Sequence, residues 1–187
     1  KISFFLRNKK IIIFGILFIV AVIVIGKTLA SGVGTTVGVE GEKVKIEDAK
    51  SKKDINYELL IPIKDSKGAE VTTIRYFIQN AELRDEIVIK GKKGTAVSGR
   101  TFLILNIKIT NNYNKGIEVN AKDFVRLATA SNNKELMAPE IHSDPVNAQA
   151  IASKDARVGF PVNENERKFK LQIGEIDGEK KVIDLEF

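Results

Sequence analysis

The chain has 187 residues, with 30 lysines and arginines, 24 acidic residues and a formal net charge of +6. It has no cysteine and one histidine, which excludes disulfides, thiol nucleophiles, thiolate zinc sites and multi-histidine metal centres. Five of the six net positive charges lie in residues 1–30, which contain no acidic residue. The rest of the chain therefore lacks the basic excess that a nucleic-acid interface needs.

A hydrophobic run without charged residues occupies Ile11–Gly26, and apolar residues continue to Ala30. A helix over Ile11–Ala30 is about 30 Å long, which matches the hydrocarbon core of a bilayer. Basic residues precede the run, so the positive-inside rule places residues 1–10 in the cytoplasm and the domain that follows outside. The sequence thus predicts a single-pass cell-membrane protein that contacts the lipid bilayer through Ile11–Ala30.

The alternative for the same run is a cleaved signal peptide. Thr28, Leu29 and Ala30 loosely resemble a small-x-small cleavage site, and cleavage near Ala30 would release a secreted protein. We favour the uncleaved anchor because Lys27 lies beside this site and the run is at the upper length limit for a signal peptide. Both interpretations place the domain outside the cytoplasm.

The segment after the anchor has the composition of a tether. Ser31–Gly41 contains four glycines among small residues, and Glu42–Asp54 mixes both charges with few apolar residues. We therefore assign residues 31–54 to a flexible stalk and residues 55–187 to the folded domain.

Short β-patterned segments separated by turn signals fill the remainder. The strongest is Thr101–Thr110, where Leu103, Leu105, Ile107 and Ile109 alternate with other residues, as in a central strand. Asn56–Lys64 contains Pro62, which indicates an edge strand. Further strands are predicted at Val71–Gln79, Glu86–Lys90, Ile117–Val119, Phe124–Ala130, Arg157–Asn163, Phe169–Ile173 and Lys181–Phe187.

The segments between these strands are predicted as turns. Asp65–Gly68, Gly91–Gly94 and the stretch before Lys181 have hairpin-turn compositions, whereas Asn120–Phe124 resembles a one-turn corner. A short helical turn is predicted at Asn147–Ala152. The pattern as a whole predicts an all-β domain, an antiparallel immunoglobulin-like β-sandwich.

The segments GRTFLILNIKITNN, DFVRL, SKDARVGFPV, FKLQIG and VIDLEF follow one another in this order. Over roughly residues 71–187 the chain resembles a family of bacterial exported immunoglobulin-like domains of unknown function. In members of this family the domain usually follows a signal peptide, a lipid anchor or a membrane helix. The resemblance implies extracytoplasmic binding or structural work and transfers no catalytic residues. The chain departs from the family by having no lipid-anchor cysteine.

The long segment Met137–Ser153 is the candidate functional loop, because long irregular connections in compact domains tend to be functional. Glu140, His142 and Asp144 alternate, so in an extended conformation they project to one side. Two carboxylates and an imidazole are ligands for a divalent cation. The structural alternative is that His142 and Asp144 hydrogen-bond backbone groups and pin the loop, while Pro145 fixes a turn.

These observations favour a non-catalytic binding or structural module at the cell surface, with an unidentified protein or envelope partner and no cofactor. Self-association through an exposed sheet edge is a further expectation. The alternative is a domain that binds a small ligand or a divalent cation through residues 137–153. Catalysis is not expected, because adjacent His142, Ser143 and Asp144 cannot form a triad relay on an extended chain.

Overall fold

The computed structural model describes residues 45–89, 91–132 and 135–187. The predicted cytoplasmic flank, the predicted transmembrane helix Ile11–Ala30 and residues 31–44 of the predicted tether lie outside these ranges. Among the described residues, no helix is both long enough and apolar enough to cross a bilayer.

The described residues form twelve strands and one 3-10 turn. The first six strands are β1 (Ser51–Lys64), β2 (Glu70–Arg84), β3 (Glu86–Ile89), β4 (Lys92–Thr95), β5 (Arg100–Asn111) and β6 (Ile117–Val119). The 3-10 turn, Ala121–Phe124, follows β6. The last six strands are β7 (Val125–Thr129), β8 (Ile141–His142), β9 (Val146–Ala148), β10 (Ala152–Asn163), β11 (Lys168–Ile173) and β12 (Lys181–Glu186).

Eight of these strands build two antiparallel sheets. Sheet A has the order β1-β2-β5-β10-β8, and sheet B has the order β12-β11-β7. The remaining strands form the pairs β3–β4 and β6–β9. The predicted central strand Thr101–Thr110 lies within β5, in the middle of sheet A.

One hydrophobic cluster joins the two sheets. From sheet A it takes the alternating residues Leu103, Leu105, Ile107 and Ile109 of β5, each at most 1% exposed. From sheet B it takes Val125, Leu127, Phe169, Leu171, Ile173 and Leu185. The period-two pattern that predicts β5 is thus the pattern that turns its apolar face toward the other sheet. The domain is all-β, with two sheets around a common core.

Strand β1 is an edge strand of sheet A, as Pro62 within it predicts. It begins at Ser51, so the assignment of Ser51–Asp54 to the tether is wrong. These residues pair with the far end of β2, where Ser51 lies opposite Leu83. The mixed charge of this stretch hides the strand because its side chains are mostly exposed at a sheet edge.

Residues just before β1 are also fastened to the domain. The Lys50 ammonium lies 2.6 Å from the Asp85 carboxylate, and the Glu47 N–H donates to Glu86 Oε2 at 3.0 Å. The hydrogen bond from Lys50 lowers the pKa of Asp85 below its usual value, so this carboxylate is ionised at neutral pH. The folded domain therefore begins before residue 55.

Two short predictions are wrong for the same reason. Lys92–Gly94, predicted as part of a turn, belongs to β4 and pairs with β3. Asn147 and Ala148, predicted to begin a helical turn, belong to β9 and pair with β6, about thirty residues earlier. A three- or four-residue strand carries too little periodicity to be recognised, and its partner decides its conformation.

Candidate functional site

The candidate loop, residues 137–153, is held against the sandwich at three points. The Met137 N–H and C=O pair with Leu127 at 2.8 and 3.0 Å. His142 pairs with Val158 through β8 and β10, and β9 then pairs with β6. The loop is therefore ordered through backbone hydrogen bonds.

Asp144 binds backbone groups of a distant turn. Its carboxylate accepts hydrogen bonds from the N–H groups of Ala121 at 2.8 Å and Lys122 at 2.9 Å. These are the first two residues of the 3-10 turn, whose own N-cap residue, Asn120, makes no side-chain capping bond. Asp144 therefore caps the 3-10 turn in place of Asn120. This is the role that the structural alternative predicts for Asp144, which is to hydrogen-bond backbone groups and pin the loop.

The other two members of the predicted trio are placed differently. His142 Nδ1 lies 3.6 Å from Asp144 Oδ2 and is buried without a hydrogen-bond partner among the described residues. Glu140 is exposed, and its N–H donates to the Gly159 carbonyl. In the part of the chain that the structure describes, no three His, Asp or Glu side chains lie close enough together to hold a metal ion.

Tyr76 completes the support beneath the 3-10 turn. Its hydroxyl donates to the Ala121 carbonyl at 2.8 Å, and its ring lies 5.4 Å from the Phe124 ring. Burial, followed by the nearby Asp144 charge, raises the pKa of Tyr76 above its usual value, which keeps the hydroxyl a donor. Asp144 and Tyr76 thus bind the N–H and C=O groups at the start of the 3-10 turn, which is a structural role.

A second candidate lies on the outer face of sheet A, the face turned away from sheet B. Along the end of β2, Asn80, Glu82 and Arg84 alternate with the buried residues Ala81 and Leu83. The alternation turns these polar side chains outward. They line an open cleft of about 530 Å³, here called the outer cleft, together with Asp48, Ala49, Lys52, Gln79, Asn106, Ile107, Asp155, Ala156 and Arg157.

A relay of hydrogen bonds crosses three strands in the outer cleft. Asn106 of β5 donates from Nδ2 to Asn80 Oδ1 of β2 at 2.8 Å. Arg157 of β10 donates from Nε to Asn106 Oδ1 at 3.1 Å. The relay exists because the strand register sets all three residues side by side. It holds the exposed Arg157 guanidinium by Nε and leaves its two Nη groups without a hydrogen-bond partner among the described residues.

Arg84, the other arginine of the outer cleft, is paired with groups of the protein itself. Its Nη1 lies 3.3 Å from Glu82 Oε2, and its Nη2 donates to the Glu47 carbonyl at 2.8 Å. Its side chain is only 12% exposed, and its Nε is buried without a partner among the described residues. Arg157, in contrast, is available to a ligand.

An apolar pocket of about 260 Å³ adjoins the outer cleft. Its apolar walls are Ile87, Val88 and Ile89 of β3 together with Ile104 and Ile141 of sheet A, and His142 and Ser143 also line it. Gly159 allows Ile104 and Ile141 to pack closely together at the base of this pocket. A Cβ at position 159 would lie 2.4 Å from Ile104 Cδ1 and 3.3 Å from Ile141 Cβ. Arg84, Asp155, Ala156 and Arg157 line both cavities, so the two arginines stand at their junction.

The outer cleft was not predicted from the sequence, although part of its signal is present. The pattern Asn80-x-Glu82-x-Arg84 alternates with apolar residues, which indicates an outward polar face. In the far half of β5, Asn106 likewise alternates with the apolar residues Leu105 and Ile107. What the sequence does not contain is the register, including the bulge between Ile78 and Asn80, that brings Asn80 opposite Asn106.

Comparisons with known proteins give structural neighbours only. No protein-family model matches the chain, and no curated protein matches it. A conserved hypothetical protein from Bacillus anthracis aligns over 74% of this chain and 99% of its own, with 10% identity and a TM-score of 0.48. An uncharacterized beta-sandwich protein from Clostridium difficile 630 aligns over 75% and 97%, with 16% identity and a TM-score of 0.47. A functionally unknown protein from Listeria monocytogenes aligns over 74% and 83%, with 13% identity and a TM-score of 0.40.

Proposed function

We propose that this protein is a non-catalytic binding module that is anchored in the cell membrane by Ile11–Ala30 and works outside the cytoplasm. Its partner is a protein or another component of the cell envelope. The apolar run and its basic flank support the location. The ordered domain after the run supports a module that presents a rigid surface.

We further propose that the domain is immunoglobulin-like. In constant-type immunoglobulin domains one sheet has the order A-B-E-D and the other combines strands C, F and G. The order β2-β5-β10-β8 in sheet A and the set β7, β11 and β12 in sheet B fit this scheme, with β1 as an added edge strand. The β6–β9 pair supports the same assignment, because it links the B–C and D–E connections, which lie at one end of such a domain.

The observation that carries the binding proposal is the outer cleft. Its relay of Asn80, Asn106 and Arg157 positions an exposed guanidinium without using its Nη groups in the described part of the fold. The relay holds this guanidinium at the junction of the outer cleft and the apolar pocket. Preorganised polar groups beside an apolar pocket are typical of a binding site.

Site-specific photo-crosslinking in living cells tests this proposal. We expect p-benzoylphenylalanine in place of the exposed Asp155 to give a discrete crosslinked adduct, because this residue lines both cavities. The matched control places the same group at Lys170, which is exposed on sheet B. Adducts of equal yield at both positions, or none at Asp155, would contradict the proposal.

A further inference from the structure

We propose that the outer cleft binds the free C-terminus of a peptide whose last side chain is branched and aliphatic. The proposal rests on the proposed function and names its ligand class. The carboxylate would be bound by Arg157, the last side chain would enter the apolar pocket, and the preceding residues would follow the outer cleft.

The exposed Arg157 guanidinium at the junction favours a negatively charged group on the ligand. Arg84 is held by Glu82 and the Glu47 carbonyl. Arg157 is exposed, makes no ion pair within 4.0 Å among the described residues, and is oriented only through Nε. A guanidinium held in this way presents two parallel N–H donors, the arrangement that binds a carboxylate in bidentate fashion.

The neighbouring apolar pocket indicates which kind of side chain the ligand carries beside its carboxylate. Its volume, about 260 Å³, is below the range of sites that enclose a whole small molecule, roughly 300–1,000 Å³. The pocket suits a single side chain, and the isoleucines that line it favour an aliphatic one. A carboxylate at Arg157 with an aliphatic group alongside is the chemistry of a C-terminal residue such as leucine, isoleucine or valine.

The larger outer cleft favours a peptide over a free acid. The outer cleft has a volume of about 530 Å³. From Arg157 it continues past the amide side chains of Asn80 and Asn106 and the charged side chains of Lys52 and Glu82. These groups match the N–H and C=O groups of a peptide backbone. A free acid would leave this part of the site empty.

Binding of a fluorescein-labelled hexapeptide of glycine and serine ending in isoleucine, measured by anisotropy with the full chain in detergent micelles, tests the inference. We expect the free-acid peptide to bind at least about tenfold more tightly than its C-terminal amide, since a charge-assisted pair is lost. Arg157→Gln should weaken binding of the free acid by a similar factor. Asp155→Asn should strengthen it, because a like charge beside the carboxylate is removed. Lys170→Gln, on the other sheet, should leave it unchanged.

The inference is overturned if neither peptide binds, if acid and amide bind equally, or if Arg157→Gln has no effect. It is also overturned if N-acetylisoleucine competes as well as the peptide, because the site then takes a small acid. Crosslinked adducts at Asp155 together with any of these results would retain the proposed function and reject only this ligand class.

Discussion

Replacing Asp144 with alanine is expected to lower the free energy of unfolding by about 3 kcal/mol or more, since it removes two hydrogen bonds to a charged group that contribute roughly 1.5–3 kcal/mol each. The Asp144 side chain is only 3% exposed and accepts the Ala121 and Lys122 N–H groups. Removing it leaves both donors without the one acceptor that caps their turn. Against a typical domain stability of about 5–15 kcal/mol, this is a large loss.

Urea denaturation followed by circular dichroism measures the effect. Asp144→Asn should lose about half as much as Asp144→Ala, because the amide keeps one acceptor oxygen and turns a donor toward the other N–H group. The control Asp184→Ala removes an exposed carboxylate from β12 and should change stability by less than about 0.5 kcal/mol. If Asp144→Ala is as mild as this control, the capping role is refuted.

Gly174→Ala is expected to destabilise the domain by about 3 kcal/mol or more, because it combines backbone strain with a steric clash. Gly174 has φ +151°, and a Cβ there would lie 2.4 Å from the Glu179 carbonyl oxygen. Its N–H donates to the Phe124 carbonyl, so the backbone cannot move away without losing that bond. The change strains the connection between β11 and β12.

The same turn contains a matched control for this experiment. Gly178 has no positive φ, and a Cβ added there would meet Glu175 Cβ as its nearest atom at 3.4 Å, an ordinary contact. Gly178→Ala should therefore change the urea midpoint little, while Gly174→Ala lowers it clearly. Equal effects of the two substitutions would show that the positive φ and the clash at Gly174 are not limiting.

The central strands could be predicted because their signal is local. In β5 the alternation of Leu103, Leu105, Ile107 and Ile109 with other residues is complete within one segment, and burial of this face against sheet B follows from it. Pro62 likewise predicts the edge position of β1 by itself, since proline has no backbone N–H to donate to a neighbouring strand. Such features need no knowledge of a partner strand.

The candidate sites could be predicted only in part, because their contacts are not local. The alternation of His142 and Asp144 predicts that their side chains project to the same side of an extended chain. It does not predict that Asp144 accepts hydrogen bonds from Ala121 and Lys122, more than twenty residues earlier. The Asn80–Asn106–Arg157 relay depends on the register of three strands and on a bulge in β2. A single sequence shows which side chains are available for such a site, but it does not show which strand positions lie opposite one another.

We propose that the folded domain lies outside the cytoplasm on an uncleaved anchor. Because the chain has no cysteine, single-cysteine variants labelled with a membrane-impermeant maleimide on protoplasts test it directly. We expect Val97→Cys, at a position that is 72% exposed, to be labelled on intact protoplasts, and Ser3→Cys only after lysis. Labelling of Val97→Cys only after lysis would contradict the claim, and its recovery from the medium would show that the anchor is cleaved.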